Sequence, residues 1–355
     1  MVKLFFKRIV LVYMAMALVA SPVEVLAAHK KTSKRIVSSQ KNALTKHRIS
    51  SRYQSGRIGA QRISVKLRST RNLQSQREFM VDESYDGSGV LQLASNKALI
   101  INQNTGEVIY AKNTNLPSPI ASITKLMTAM VMLDAKQPLD EVIEISSEDV
   151  DYLKGTGSRL SVGSRLSRGE FLQLALMASE NRAASALANN YPGGKGIFVK
   201  AMNEKALELG LGSTHFVDPT GLDSENVSTA EDLAKMVQAA FQYPEIRSAT
   251  TTASREVYVE GHNYPVNFNN TNGLVREGEW EIGLSKTGFI NEAGRCLVMQ
   301  TKIAGEPMII VLLDSYGKLT RIGDANRIRR WMEYNSEPKT TTTGQTQEVV
   351  AGRIS

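Results

Sequence analysis

A serine three residues before a lysine on a helix puts a hydroxyl and an amine on one face, within hydrogen-bond reach. If the amine is neutral, the pair can act as nucleophile and general base. The chain holds four such spacings, starting at Ser38, Ser122, Ser315 and Ser336, so the spacing alone selects nothing. Environment separates the second. Within "SPIASITKLMTAMVMLD", residues 118–134, Lys125 is the only charge between Asn113 and Leu133, and its neighbours are Ile123, Leu126, Met127, Met130 and Val131. Desolvation disfavours an ammonium and lowers a lysine pKa, as would a second cation nearby. Ser122 also falls near a predicted helix start, where free backbone N–H groups can stabilise an oxyanion. A snorkelling lysine beside an ordinary helix serine would carry the same letters.

Two further motifs tip the balance toward chemistry. "KTG" (Lys286, Thr287, Gly288) falls on a predicted strand and is the only Lys-Thr/Ser-Gly in the chain. Its lysine can hold a carboxylate, its threonine can donate a hydrogen bond, and its glycine lets a substrate backbone come close. Ser-x-Asn occurs twice, as "SEN" at Ser179 and at Ser224. The Ser179 copy follows the apolar run "FLQLALMA" and is delivered to the interior by a packed helix. The Ser224 copy follows the turn-like "DPTGLD" and reads as a loop.

The elements that must position these groups are legible in outline. "KALIINQNTGEVIYAKN" (Lys97 to Asn113) reads as two strands around the turn "NTG". Pro117 and Pro119 suit the approach to a helix, and Pro138 marks a point beyond its end. Ser167 and Glu170 have capping-box spacing ahead of a second helix, as do Ser228 and Glu231 ahead of a later one that Pro244 should terminate. "SENRAASALANNYP" continues the helical pattern of the second, and "KGIFVKAMNEKALELGLG" is a helix stopped by Gly210 and Gly212. "EWEIGLSKTGFI", "RCLVMQTKIA" and "PMIIVLLDS" are three strands separated by short turns, which implies antiparallel neighbours. Strands apolar on both sides imply a sheet covered on both faces. A last helix, "KLTRIGDANRIRRWMEYN", closes the domain.

The 355 residues are 42% hydrophobic, enough for a substantial core. Residues 1–28 combine Lys3, Lys7 and Arg8 with the apolar run Ile9 to Ala20 and a small-residue end at Ala27 and Ala28. This pattern predicts a cleaved secretory signal, too short to span a membrane, and hence a periplasmic protein. Residues 29–80 carry 14 Lys or Arg against the single acid Glu78, while the remainder beyond is net acidic. So basic and Ser-rich a segment, residues 29–87, reads as a disordered arm that is either a solvated linker or attracted to anionic envelope surfaces. Export argues against nucleic acid as its partner. Residues 88–335 form the catalytic domain in this reading, and 336–355 a polar, disordered tail. Cys296 is the only cysteine, so no intrachain disulfide can form.

The order SxxK, SxN, KTG over about residues 88–335 resembles that of penicillin-binding proteins and class A β-lactamases. Through "ASITKLMTAMVMLD", "LMASENRAASALA", "FVDPTGL" and "KTGFINEAG" the chain is most similar to the D-alanyl-D-alanine peptidases of low molecular mass. Within them it resembles the penicillin-binding protein 7 type, the D-alanyl-D-alanine endopeptidases. The resemblance implies an α+β, β-lactamase/transpeptidase-like fold: a five-stranded antiparallel sheet flanked by helices, plus a helical subdomain. It also implies roles. Ser122 would be the acylated nucleophile, Lys125 its base, and Ser179 the relay of a proton to the leaving amine. Asn181 would hold the substrate amide, and Lys286 and Thr287 would bind a carboxylate. The N–H groups of Ser122 and Phe289, next to Gly288, would form the oxyanion hole. The substrate would be a peptidoglycan stem peptide, β-lactams would inhibit, and neither metal nor organic cofactor would be required.

Two departures bear on the subclass. Glu180 occupies the middle of SxN where carboxypeptidase relatives usually have glycine, and the 67 residues after Gly288 leave no room for those relatives' second domain and anchor. Both favour an endopeptidase acting on wall cross-links over a carboxypeptidase. A β-lactamase would need a glutamate to activate water, and "GSTHFVDPTGLD" has none, although Glu225 follows soon after. A non-catalytic sensor of peptidoglycan or β-lactam would not need the full set of motifs. Outside the arm only His215 and His262 remain, which suits neither a histidine triad nor a zinc site.

Overall fold

Residues 90–259 and 264–336 are described by the structure, a computed structural model. The expected signal, arm and tail lie outside the described residues, apart from Ser336. Five strands make the main sheet: β1 (Lys97–Asn102), β2 (Val108–Lys112), β9 (Ile282–Ile290), β10 (Gly294–Ile303) and β11 (Glu306–Ser315). Their order is β2-β1-β11-β10-β9, antiparallel throughout, so strands from both ends of the domain meet at the β1–β11 pair, with Lys97 opposite Leu313 and Asn102 opposite Met308. β10 and β11 are joined by Ala304 and Gly305, both at positive φ, as a two-residue hairpin of the primed type requires.

Both faces of the sheet are covered, which is why its strands read as continuous apolar runs. Leu297, Met299, Ile310 and Leu312 point to one face and pack with Ala325 and Ile328 of the final helix, α8 (Thr320–Ser336). Val298, Ile309, Val311 and Leu313 point to the other and join the larger core. That core is built around α1 (Lys125–Asp134), preceded by a 3₁₀ turn over Ala121–Thr124 and buried from Lys125 through Met132.

Short strand pairs and helices complete the lobe between β2 and β9. β3 (Ser118–Pro119) pairs with β6 (Val227–Ser228), and β4 (Val142–Glu144) with β5 (Arg165–Ser167). The helices are α2 (Arg168–Met177), α3 (Asn181–Asn189), α4 (Gly194–Glu208), α5 (Ala230–Ala240), α6 (Pro244–Thr251) and the short α7 (Gly273–Glu277). β7 (Ser254–Val257) and β8 (Val266–Asn269) form a hairpin between α6 and α7.

The capping box at Ser167 and Glu170 forms as expected. Three local expectations shift. The helix expected to run on through "SENRAASALANN" breaks at Ala178–Glu180, where Ser179 takes φ +60. α5 is capped one residue later than expected: Thr229 accepts from the N–H of Asp232, because Ser228 is held in β6 and its hydroxyl meets that of Thr214 at 2.7 Å. Pro244 opens α6 at its first turn rather than merely ending α5, a position where its missing N–H costs nothing.

Candidate active site

The break between α2 and α3 brings Ser179 and Asn181 to the start of α1. Lys125, 1% exposed, has Nζ 2.8 Å from Ser122 Oγ, 2.7 Å from Asn181 Oδ1 and 2.7 Å from the Thr220 carbonyl oxygen. An ammonium would donate to all three. A neutral amine has two N–H groups for the two obligate acceptors, Asn181 Oδ1 and the Thr220 carbonyl, and its lone pair is then left for the Ser122 hydroxyl. Burial lowers the Lys125 pKa to about 7, against the opposing pull of the Asp218 and Glu180 carboxylates. The amine is therefore available as a base near neutral pH.

Strand β9 forms the facing wall. Lys286 is also 1% exposed, and its Nζ donates to Ser179 Oγ at 2.9 Å and to the Thr287 carbonyl at 3.0 Å. Burial, and then the charges of Lys125 and Arg321, hold its pKa well below the ordinary lysine value. Thr287 Oγ1 donates to Thr271 Oγ1 at 2.7 Å. Ser122, Ser179, Asn181, Thr287, Gly288 and Phe289 all line one cleft of about 460 Å³. Every residue expected from the motifs is thus in or directly behind this cleft.

A family model described as D-alanyl-D-alanine carboxypeptidase, peptidase family S11, matches residues 83–317. The chain belongs to this family. A D-alanyl-D-alanine endopeptidase of Pseudomonas aeruginosa is 54% identical over 242 residues, 68% of this chain and 78% of the relative. A D-alanyl-D-alanine endopeptidase of Escherichia coli is 47% identical over 264 residues, 74% of this chain and 82% of the relative. The solved DD-transpeptidase of Streptomyces K15 has a TM-score of 0.63 at 29% identity, covering 68% of this chain and 97% of its own.

In this peptidase two glycines clamp the peptide just ahead of the candidate nucleophile. A Cβ on Gly288 would lie 2.9 Å from the Ile120 carbonyl oxygen and 3.1 Å from Ser122 N. On Gly221, at φ +80, it would lie 1.9 Å from the Ala121 carbonyl oxygen and 2.9 Å from Ser122 N. The KTG glycine is expected to admit a substrate backbone; what comes close to it in the structure is the chain's own Ile120–Ser122 segment. Ala121 at φ +49 and Ser179 at φ +60 are non-glycine residues held in the left-handed region, and both flank the cleft.

Several residues of the site carried no sequence signal beyond the resemblance. Asp218 accepts from the N–H groups of Thr220, Gly221 and Asp223, and so shapes the "DPTGL" turn that offers the Thr220 carbonyl to Lys125. Thr156 accepts from Asn181 Nδ2 at 3.0 Å. Arg321 of α8 reaches the cleft, and its buried Nε and Nη1 have no hydrogen-bond partner among the described residues. At the rim Arg295 stacks on Phe289, which is 51% exposed, and Lys154 pairs with Glu292 at 2.5 Å. Other copies of the motifs lie elsewhere: Ser315 is buried against Ser95, Ser224 sits in a turn, and His215 bridges to Val227. His262 lies outside the described residues.

Proposed function

We propose that this family member is a serine D-alanyl-D-alanine endopeptidase that hydrolyses peptide cross-links of peptidoglycan through an acyl-enzyme. The observation that carries the chemistry is the buried Lys125 amine, 2.8 Å from Ser122 Oγ, with its two other partners obligate acceptors. Ser122 gives its proton to the Lys125 lone pair and attacks the D-alanine carbonyl, and the oxyanion is held by the N–H groups of Ser122 and Phe289. The leaving amine takes its proton through Ser179, whose Oγ is tied to Lys286. Water then cleaves the ester. Lys286 and Thr287 hold a carboxylate beside the scissile bond, and the Arg321 guanidinium, whose Nε and Nη1 have no hydrogen-bond partner among the described residues, adds positive potential there.

A β-lactam enters the same path and stalls at the ester. No Asp or Glu is among the residues lining the cleft, and Glu225 is exposed in a turn, which supports slow release over a β-lactamase activity. The names of the two relatives support the endopeptidase reading, and Glu180 in SxN agrees with it. The N-terminal sequence supports export to the periplasm, with the basic arm either a solvated linker or attracted to anionic envelope surfaces. Among the described residues no helix is long and apolar enough to cross a membrane.

The test is to incubate the protein with a fluorescent penicillin, with cross-linked muropeptide dimers and with pentapeptide stems. Dimer cleavage and labelling are expected together, and both should vanish in Ser122→Ala. Release of free D-alanine with dimers intact would make it a carboxypeptidase. Labelling without turnover would make it a sensor.

A further inference from the structure

Asn181 has an amide with two opposite ends, and the end that meets Lys125 decides whether the amine's lone pair is free. If the NH2 end faced Lys125, it would donate into the lone pair that Ser122 needs. In the structure the Oδ1 end faces Lys125, and Nδ2 donates instead to Thr156 Oγ1. The Thr156 hydroxyl can accept that bond because its own proton goes elsewhere, to Asp151 Oδ2 at 2.7 Å. Asp151 ends the chain as a pure acceptor. Its Oδ1 takes the N–H groups of Leu153 and Lys154, each at 2.9 Å, and its Oδ2 also takes that of Thr156 at 2.8 Å. Partial burial alone would raise its pKa, but these bonds outweigh that and lower it, so the carboxylate stays ionised.

We propose that Asp151 and Thr156 are positioning residues that set the polarity of Asn181 and, through it, keep the Lys125 lone pair on the Ser122 hydroxyl. The proposal rests on the reading of Lys125 as the base. Each link follows from donor counting: a carboxylate cannot donate, so Thr156 donates to it; a hydroxyl has one proton, so Thr156 accepts from Asn181; the amide oxygen is then left for Lys125. Lys125 and Ser122 belong to the helical core, whereas Asp151 lies in a loop outside it. A loop carboxylate thereby directs a proton transfer three hydrogen bonds away.

The experiment compares rate constants for acylation by a fluorescent penicillin in the full chain, separated from initial binding by varying its concentration. Thr156→Val keeps the shape and removes the hydroxyl, and Asp151→Asn keeps the shape and removes the pure acceptor. Each should slow acylation roughly tenfold or more, the scale of a misdirected general base, with initial binding altered far less. Thr156→Ser should recover most of the rate, and Asp151→Asn with Thr156→Val should be no slower than the worse single variant, because one chain is cut in both. Wild-type acylation by Thr156→Val, no recovery in Thr156→Ser, or additive losses would overturn the proposal. Ser122→Ala and Lys125→Met run in parallel: if they still acylate, the reading of the base fails, whereas if only they fail to acylate, the orienting chain alone is refuted.

Discussion

Two lysine side chains, each only 1% exposed, meet at the cleft, where burial disfavours the charged form of both. Lys125 has two carboxylates, Asp218 and Glu180, favouring its charged form, whereas burial and the neighbouring cations Lys125 and Arg321 all act against the charge on Lys286. Acylation needs Lys125 neutral, so its rate should fall about tenfold per unit as pH drops below about 7 and level off above it. Penicillin labelling rates measured across that range check this, and a limb near the ordinary lysine value of about 10.4 would mean that burial does not lower the Lys125 pKa. The candidate serines and lysines of the cleft were legible because each motif couples a fixed spacing to an unusual environment. Thr156, Thr220 and Arg321 were not, since a carbonyl, a loop hydroxyl and a helix arginine have ordinary spacings and gain meaning only from what the fold puts opposite them.

At the scale of elements, the site depends on backbone meeting backbone. Gly221→Ala would press a Cβ to 1.9 Å from the Ala121 carbonyl while also straining a φ of +80. It should displace Ser122, with a loss of penicillin labelling of roughly a hundredfold or more and a destabilisation of about 2 kcal/mol or more. Gly106, at φ +73 but with nothing within 4 Å of its Cβ, is the comparison: Gly106→Ala should cost only about 1 kcal/mol of backbone strain in denaturant titrations and leave labelling intact. The five strands and the main helices followed from their periodicity and turns. The break at Ser179 did not, because no glycine or proline marks it and the partner its hydroxyl meets, Lys286, lies 107 residues away. The displaced cap at Thr229 has a similar cause: Ser228 satisfies the local rule but is already occupied by Thr214.

For the whole molecule, a single buried cysteine leaves stability to the two apolar clusters on either side of the sheet. The buried lysines work against it. Lys125 titrates at about 7 when folded and near 10.5 when unfolded, so between those values the unfolded chain binds the extra proton. Stability should therefore rise with pH across that window, and the cost should be at its full value below about 7. Thermal unfolding of Lys125→Met against wild type isolates this contribution: the variant's stability gain should be larger at pH 7 than at pH 10. A gap independent of pH would mean that Lys125 keeps its charge in the fold.

The sheet order carries a consequence in time. β1 lies between β2 and β11, so the first strand of the domain has only one neighbour until the last strand has arrived. Lys125 is made early, Lys286 late, and Arg321 comes only with the final helix. Pairing so distant in sequence closes slowly and late. A chain threaded across a membrane from its N-terminus would thus carry its serine and first lysine through as separate, inert parts. In such a chain the cleft would be completed only with the β1–β11 pairing that closes the sheet, and the hydrolase would be armed no earlier than that.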